Sequence, residues 1–358
     1  MVSGSSPSVH YQPLSQVQIS SSSAILLATL KRTHMFLWIC LVLACFIVWD
    51  NTHYSRVSTL KEFWTINERL TNPPHIVVQD CECGCVGSPV GSCPRQYDLQ
   101  DVDKSARVVL TDEIRESMDS MLQEKQRVAQ QNCLNESISP DQRIALDMNC
   151  FSSFVDLENN GPVTIPNPYR VVLIPKGHYN VPRIMFTSLQ FFIEKEGISS
   201  LSDFGAGVGQ YGAYFEKNLP PSFVYNGYDS AGDVEVYTQN YIKYADLIVP
   251  LNLPVTDYVL SLEVGEHISN NQEGMMIRNL HAHNCKGIIL SWAIEGQDGN
   301  GHINLHNNDY LIKIFEQLGY VYDVEDTENI RNAVPSDHGI GWWFKSSIMI
   351  FKRIHPVC

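Results

Sequence analysis

The chain has 358 residues and a formal net charge of −14, with 44% hydrophobic and 18% charged residues. This composition excludes disorder throughout the chain, because it offers enough apolar surface to form a folded core. The negative charge would repel a phosphate backbone and no run of lysines or arginines is present, so we expect no nucleic acid among the partners.

An apolar run near the amino terminus predicts a membrane anchor. Residues 1–34 contain no Asp or Glu and are rich in serine, which predicts a disordered cytosolic tail. Residues 35–49 fall slightly short of the roughly 17 residues of a minimal span, but Lys31 and Arg32 can extend their charged ends to the interface. Positive charge before the run predicts a single-pass type II protein of the Golgi or endoplasmic reticulum with a lumenal domain. A mitochondrial presequence is the alternative.

Cysteine usage agrees with a lumenal domain, because eight of the ten cysteines follow the apolar run and an even number favours disulfides. They are Cys81, Cys83, Cys85, Cys93, Cys133, Cys150, Cys285 and Cys358. The first four could instead bind zinc, although their spacing differs from the usual C-x-x-C knuckle. Asn135-Glu-Ser is a glycosylation sequon, which is consistent with the lumen. We expect residues 50–168 to form a stem and an accessory region.

In the second half of the chain, apolar runs alternate with helical stretches, which indicates a parallel sheet with crossover helices. We predict strands near Ser199–Phe204, Val224–Tyr228, Leu247–Val249, Tyr258–Leu262, Gly287–Trp292, Tyr320–Val324 and Ser347–Lys352. We predict helices over Ser105–Ala129, Val181–Lys195 and Asp309–Leu318, with Thr111 as the cap of the first. Residues 169–358 are therefore expected to form one α/β domain.

A glycine-rich turn follows the first of these strands, in the stretch 201–212 (LSDFGAGVGQYG). Gly205, Gly207 and Gly209 permit a tight turn and let a ligand approach the main chain before the next helix. Asp203 lies two residues before the first glycine, where its carboxylate can accept a hydrogen bond from a ligand's ammonium group. The turn alone is a weak indication of function, and Asp203 could instead cap it.

A second acid, Asp229, ends the next strand and lies 20 residues after Gly209. A carboxylate in this place accepts from both hydroxyls of a ribose, which indicates a nucleoside site, although an ordinary turn residue is the alternative. The spacing of Gly207, Gly209 and Gly212 also fits a dinucleotide site, so an NAD(P)-dependent oxidoreductase must be considered. Asp203 disfavours that class, because its charge would repel a pyrophosphate.

A third group of polar residues follows the strand that ends near Leu262, in the sequence SLEVGEHI (261–268). Glu263, Glu266 and His267 would lie at the carboxyl end of this strand. Open α/β sheets bind their ligands in the crevice at that edge. We therefore expect these three side chains to lie near the reacting groups.

Together these motifs resemble the class I S-adenosylmethionine-dependent methyltransferases. The resemblance is carried, in order, by DFGAGVG, Tyr228-Asp229, Ala245-Asp246 and SLEVGEHI, and by the ending 341–353, which is similar to that family's antiparallel last strand. It covers about half of the chain. It implies an α/β fold with a Rossmann-like, seven-stranded, mostly parallel sheet, an antiparallel last strand and helices on both faces, preceded here by a membrane anchor and stem.

The resemblance also implies the cofactor and the residues that hold it. The predicted S-adenosyl-L-methionine residues are Asp203, Gly205, Gly207, Gly209, Asp229, Asp246, Leu247 and Glu263. By the family's pattern, Asp203 and the glycines would hold the methionine part and Asp229 the ribose. Residues 246 and 247 would flank the adenine.

The sequence Glu263-x-x-Glu266-His267 further resembles the metal-binding motif of RNA-terminal 2′-O-methyltransferases and of quinone-precursor O-methyltransferases. With His302 as a fourth ligand, these residues could bind Mg²⁺ or another divalent metal, which would lower the pKa of a bound hydroxyl. The alternative is that His267 is a general base, with Glu266 and His302 beside it as further catalytic residues.

The remaining histidines and the last tryptophans receive structural interpretations. His281 and His283 are predicted to lie on the surface near a helix end. Either His306 or Asn307 is predicted to begin a helix, and Trp342 and Trp343 are predicted to pack on the last strand rather than to stack on a substrate.

These features predict a methyltransferase that O-methylates a glycan or small-molecule hydroxyl in the secretory lumen. Oxygen is favoured over nitrogen because the site offers an imidazole and carboxylates as base or metal ligands. The alternatives are a mitochondrial quinone-precursor O-methyltransferase, an NAD(P)-dependent oxidoreductase, and a membrane-tethered binding module without activity.

Overall fold

The structure is a computed structural model that describes residues 58–71, 95–139, 142–143, 149–153, 162–165, 170–175, 181–335 and 341–358. The apolar run and the clustered cysteines of residues 81–93 lie outside the described residues, so the anchor and the zinc alternative stay predictions. Within the described ranges, no helix combines the length and the apolar character needed to cross a membrane. The chain divides into two units, Met1–Thr59 and Leu60–Cys358, and the second contains the sheet and the candidate site.

The described residues form a two-stranded sheet and a seven-stranded sheet. The first pairs β1 (Pro162–Ile165) with β2 (Arg170–Leu173) in antiparallel fashion. The strands of the second are β3 (Ser200–Phe204), β4 (Val224–Asp229), β5 (Lys243–Tyr244), β6 (Thr256–Ser261), β7 (Asn284–Ser291), β8 (Tyr320–Tyr322) and β9 (Ile348–Arg353). Their order is β5-β4-β3-β6-β7-β9-β8, and β9 runs antiparallel to the other six strands.

This sheet confirms the predicted fold, which is Rossmann-like and mostly parallel with an antiparallel last strand. The chain begins in the middle of the sheet with β3, moves outward to β5 on one side, and then returns to β6 on the other. The order reverses between β3 and β6. Such a switch point opens a crevice at the carboxyl ends of the strands, and the candidate residues follow β3, β4 and β6.

One predicted strand is wrong. Residues 247–249 form a turn, and the strand of this region is the two-residue β5. One carboxylate oxygen of Asp246 accepts from the N–H of Ile248 at 3.1 Å, which stabilises the turn. Leu247 and Val249 are nevertheless buried in the core, which explains why their pattern resembles that of a strand.

Side chains of the central strands alternate between two cores, one on each face of the sheet. On β7, Ile288 and Leu290 belong to the first core and Ile289 to the second. All three are fully buried, because helices cover both faces. The strands therefore read as continuous apolar runs in the sequence.

The helices are α1 (58–71), α2 (Leu99–Ala106), α3 (Asp112–Leu134), α4 (Arg183–Lys195), α5 (Gln210–Asn218), α6 (Val234–Tyr237), α7 (Glu273–Ala282), α8 (Asn308–Gln317), α9 (Val324–Ala333) and α10 (Phe344–Ser347). Residues of α1, α2, α7 and α8 fill the first core, and residues of α4, α5 and α9 fill the second. The helix predicted over Ser105–Ala129 is confirmed from Asp112 onward, but its predicted start is wrong, because α2 ends at Ala106 and α3 begins at Asp112. Thr111 caps α3 as predicted, since its side chain accepts from the N–H of Ile114.

Two disulfides confirm the prediction that cysteines of this chain are paired. Cys133 at the end of α3 is bonded to Cys150, and Cys285 in β7 is bonded to Cys358. The first lies near the loop after β4, because the N–H of Gly232 donates to the carbonyl of residue 149. The second lies near the amino end of β7, at the edge of the sheet opposite to the carboxyl ends of the parallel strands.

Candidate functional site

The turn between β3 and α5 carries the main chain across the carboxyl edge of the sheet. Gly205 and Gly209 both have φ of +84°, in a region that residues with side chains rarely adopt. A side chain at Gly205 would collide with Val264, and one at Gly209 would collide with Tyr241. The N–H of Gly205 donates to the carbonyl of Tyr228 at 2.9 Å, which ties the turn to β4. Both backbone conformation and close packing therefore require these two glycines.

Asp203 is a buried acid near the end of β3. Its exposed fraction is 3%, and one carboxylate oxygen accepts from the hydroxyl of Tyr225 at 2.7 Å. Burial raises the pKa of Asp203 to about 7, although the hydrogen bond from Tyr225 opposes this shift. A cationic ligand group would offset the cost of the buried charge, so the site fits an ammonium group.

Asp229 ends β4, and its carboxylate connects the glycine turn after β3 to the loop after β4. One carboxylate oxygen accepts from the N–H of Gly207 and the other from the N–H of Ala231, each at 2.9 Å. Burial raises the pKa of Asp229 to about 6, and these main-chain donors oppose the shift. A carboxylate oxygen accepts more than one hydrogen bond, so both oxygens retain the capacity to accept from ribose hydroxyls.

Asp246 and Leu247 follow β5, where the resemblance places the adenine. Burial raises the pKa of Asp246, opposed by the N–H of Ile248 and by Lys125, whose Nζ lies 3.7 Å from a carboxylate oxygen. The side chain of Leu247 packs in the first core. The structure thus places the carboxylate of Asp246 beside a lysine of α3, while Leu247 could flank a base only through its main chain.

Glu263 has φ of +55°, which is uncommon for a residue with a side chain. Its N–H donates to Ser291 Oγ at 2.8 Å, and its carboxylate accepts from Gln297 at 2.8 Å and from Ser347 at 3.1 Å. Burial raises the pKa of Glu263, and its hydrogen bonds oppose this shift. These partners engage both carboxylate oxygens, so the role of Glu263 as cofactor or metal ligand stays a prediction.

Glu266 lies in a 3-10 turn, Gly265–His267, and is fully buried. Neither carboxylate oxygen has a well-aligned hydrogen-bond partner among the described residues. Burial and the neighbouring carboxylate of Glu263 raise the pKa of Glu266 well above its usual range. Nε2 of His302 lies 3.9 Å from one of the oxygens. Glu266 is therefore a buried acid that must either hold a proton or lie beside a cation.

The rings of His267 and His302 lie edge to face, with centroids 5.1 Å apart. Nδ1 of His302 lies 3.1 Å from the carbonyl oxygen of Gln297, and Nδ1 of His267 lies 3.2 Å from that of Gly301. Because a carbonyl only accepts, each neutral ring carries its proton on Nδ1, and Nε2 is then the basic nitrogen. One ligand atom from each of Glu266, His267 and His302 lies within 4.8 Å of the other two. The structure thus brings the three predicted catalytic residues together.

Glu273, a fully buried acid at the start of α7, was not among the predicted site residues. It accepts hydrogen bonds from four side chains, which are Tyr97, Asn304, His306 and Tyr310. Burial would raise the pKa of Glu273, but its hydrogen bonds, led by that from His306, lower it. The segment that carries His302 is thereby held against α7. No spacing in the sequence relates these residues, because they meet only in the folded chain.

The prediction that His281 and His283 lie on the surface is wrong, because both are buried. Nε2 of His281 lies 3.1 Å from a carboxylate oxygen of Asp103, and Nε2 of His283 accepts from the N–H of Leu253 at 3.3 Å. Burial lowers the pKa of His283 to about 4. His281 is covered because α2 packs on α7, and His283 because it lies against residues of other elements, such as Leu253 and Phe204. Of the two residues predicted to begin a helix, Asn307 is the N-cap of α8, whereas His306 hydrogen-bonds to Glu273.

Gly212 completes the spacing that also fits a dinucleotide site. A side chain there would collide with the ring of Tyr225, whose hydroxyl donates to Asp203. The glycine therefore makes room for the partner of Asp203. Among the last tryptophans, Trp343 packs against the second core as predicted, whereas Trp342 is 41% exposed.

Neither a protein-family model nor a curated protein matches the chain. Among solved structures, magnesium protoporphyrin IX methyltransferase from Synechocystis PCC 6803, with bound SAH, is 17% identical, with a TM-score of 0.36 over 50% of this chain and 90% of that chain. The methyltransferase domain of a bacterial Hen1 protein is 14% identical, with a TM-score of 0.37 over 50% of this chain and 100% of that chain. A putative sarcosine dimethylglycine methyltransferase from Galdieria sulphuraria is 14% identical, with a TM-score of 0.32 over 47% and 84%.

With identities of 14–17% and TM-scores of 0.32–0.37, these similarities by themselves assign neither a fold nor a function to this chain. The fold is instead assigned from the order and direction of the strands. The seven-stranded sheet has its first strand in the middle and an antiparallel strand between β7 and β8. The glycine turn after β3 and the acid that ends β4 occupy the places that the resemblance implied. The chain therefore has the fold of the class I S-adenosylmethionine-dependent methyltransferases.

Proposed function

We propose that this domain binds S-adenosylmethionine and transfers a methyl group to a hydroxyl of a glycan or another small molecule in the lumen of the secretory pathway. The observation that carries the proposal is a shared edge of the sheet. Asp203 and Asp229 flank the glycine turn, Glu266 and His267 follow the adjoining strand β6, and His302, from the loop after β7, lies beside them. A nucleoside site and a proton-accepting site thus adjoin each other.

The acids near the turn would hold the cofactor, whose sulfonium supplies an electrophilic methyl group. The carboxylate of Asp203 would accept from its ammonium group, and that of Asp229 from its ribose hydroxyls. Asp246, beside Lys125, would meet the polar edge of the adenine. Because these acids are buried, their bonds to the ligand would not compete with water, which strengthens them.

The histidines would accept the proton of the acceptor hydroxyl. His267 is exposed, so an acceptor can reach it, and the carbonyl at Nδ1 leaves Nε2 as its basic nitrogen. Glu266 lies beside it, and in its ionised form would stabilise the positive charge that develops on the imidazole. An in-line displacement needs alignment and a deprotonated oxygen, and this group would supply the deprotonation.

Binding of the cofactor product tests the proposal. We expect the purified full chain to bind S-adenosylhomocysteine in calorimetry, and Asp229→Ala to weaken binding roughly a hundredfold, because two charge-assisted hydrogen bonds are lost. Asp309→Ala is the matched control, since Asp309 is an exposed acid on α8. Absence of binding by the wild-type chain would refute the proposal, and tighter binding of NADH or NADPH would favour the oxidoreductase.

The pKa of Asp203 predicts how affinity depends on pH. Since burial raises this pKa to about 7, the unliganded protein holds a proton there at lower pH, and this proton must leave before the carboxylate can accept from the ammonium group. Affinity for S-adenosylhomocysteine should therefore fall about tenfold per pH unit from pH 7 to pH 6, fall more steeply below about pH 6, where Asp229 also takes up a proton, and level off above pH 7. Asp203→Asn should bind weakly and show no such inflection near pH 7. An identical pH profile in both proteins would contradict the assignment.

A divalent metal is a second candidate for the same group. It is favoured by Glu266, whose buried carboxylate oxygens have no well-aligned partner among the described residues. Glu266, His267 and His302 would be its ligands, and the metal would lower the pKa of a bound hydroxyl. Under this candidate, Mn²⁺ titration followed by electron paramagnetic resonance should show one bound ion in the wild type and none in His302→Ala. If the wild type binds no ion, the general-base version stands.

The lumenal location is supported by the two disulfides, which persist in oxidising compartments, and by Asn135, which is exposed at the end of α3. Cells that express the full chain should yield a protein whose gel mobility shifts after endoglycosidase treatment. Asn135→Gln should abolish the shift contributed by this site. A wild-type chain without any shift, recovered with mitochondria, would instead favour the quinone-precursor alternative.

A further inference from the structure

The loop 230–233, which directly follows Asp229, is held by a segment from the other half of the chain. Four hydrogen bonds join this loop to residues 149–152. They run from the N–H of Gly232 to the carbonyl of Asn149 (2.9 Å), from Asn149 Nδ2 to Ser230 Oγ (3.1 Å), and from the N–H groups of Phe151 and Ser152 to the carboxylate of Asp233 (2.7 and 2.8 Å).

The Cys133–Cys150 disulfide bonds this segment covalently to the end of α3. The bond itself lies against the loop, since a side chain at Gly232 would come within 2.7 Å of the sulfur of Cys133 and 2.3 Å of the carbonyl oxygen of Ala129. One turn before Ala129 on α3, the side chain of Gln126 donates to the carboxylate of Glu235, just beyond the loop, at 2.8 Å. The helix, the disulfide and the segment therefore enclose the loop on one side.

The same segment reaches the glycine turn. Phe151 is buried in a small core with Ala206 and Val208 of the turn and with Ala231 of the loop. The N–H of Ala231 is one of the two main-chain donors to Asp229. The position of the carboxylate that would bind the ribose therefore depends on both a turn and a loop that rest on Phe151.

We infer that the Cys133–Cys150 disulfide positions the cofactor site, so that S-adenosylmethionine binds tightly only when these two cysteines are oxidised to their disulfide. The inference rests on the proposed function. Without the bond, residues 149–152 lose their cross-link to α3 and are joined to it only through the intervening main chain, so the loop and turn around Asp229 lose a fixed support. The fraction of molecules with a formed site then falls, and the apparent dissociation constant rises by the same factor.

The second disulfide provides a matched control. Cys285 lies near the amino end of β7, whereas Asp229 and the glycine turn lie at the carboxyl edge of the sheet. Both bonds belong to the same unit of the chain. Loss of either should lower the melting temperature, but only loss of Cys133–Cys150 removes a support of the cofactor site.

The test compares S-adenosylhomocysteine binding by calorimetry in the full-length wild type, in Cys133→Ser/Cys150→Ser and in Cys285→Ser/Cys358→Ser, well below each melting temperature. We expect binding about tenfold weaker or worse in the first variant, if fewer than about one molecule in ten retains a formed site, and within about twofold of wild type in the second. Asp233→Ala, which removes two of the four hydrogen bonds but keeps the disulfide, should also weaken binding.

Equal affinity of the wild type and Cys133→Ser/Cys150→Ser would overturn the inference, as would an equal loss in both disulfide variants. If Cys133→Ser/Cys150→Ser does not fold, Asp233→Ala decides, and an unchanged affinity in that variant overturns the inference. Failure of the proposed function has a different signature, because then the wild-type chain binds no S-adenosylhomocysteine.

Discussion

A single buried carboxylate couples the parts of the candidate site. Asp229 accepts from the glycine turn through Gly207 and from the following loop through Ala231. Burying an ionised carboxylate without such donors would cost several kcal/mol, so the turn and the loop cannot move independently of it. The parallel pairing of β4 with β3 then fixes Asp229 relative to Asp203, and the pairing of β3 with β6 fixes both relative to Glu266.

The sequence was most informative where each residue's environment is set by its immediate neighbours. Strands such as β7 are covered on both faces, and a continuous apolar run is the local consequence. A capped start such as Thr111 is likewise a local property. The prediction failed at residues 247–249, because burial in the core and pairing in a sheet impose the same apolar pattern there. It also started the helix of this region at Ser105, near the end of α2, rather than at Asp112, where α3 begins.

The residues of the candidate site likewise include some that the local sequence predicts and some that it does not. Asp203, Asp229 and the group after β6 could be predicted because they follow strands whose carboxyl ends share one edge, and the family resemblance assigned their roles. Lys125, Tyr97 and the burial of His281 could not, because each depends on helices from the first half of the chain that pack on distant parts of the sheet. Those helices give no local sign of their partners.

The place of β9 in the sheet has a consequence for how the chain is made. β9 is the last strand in sequence, yet it lies between β7 and β8. While the ribosome is still adding residues 348–353, β7 retains an unpaired edge and β8 has no neighbour in the sheet. Nascent chains with such open edges are prone to associate with one another. The half-made protein should therefore depend on chaperones until β9 emerges, and deletion of residues 348–353 should harm folding more than their number indicates.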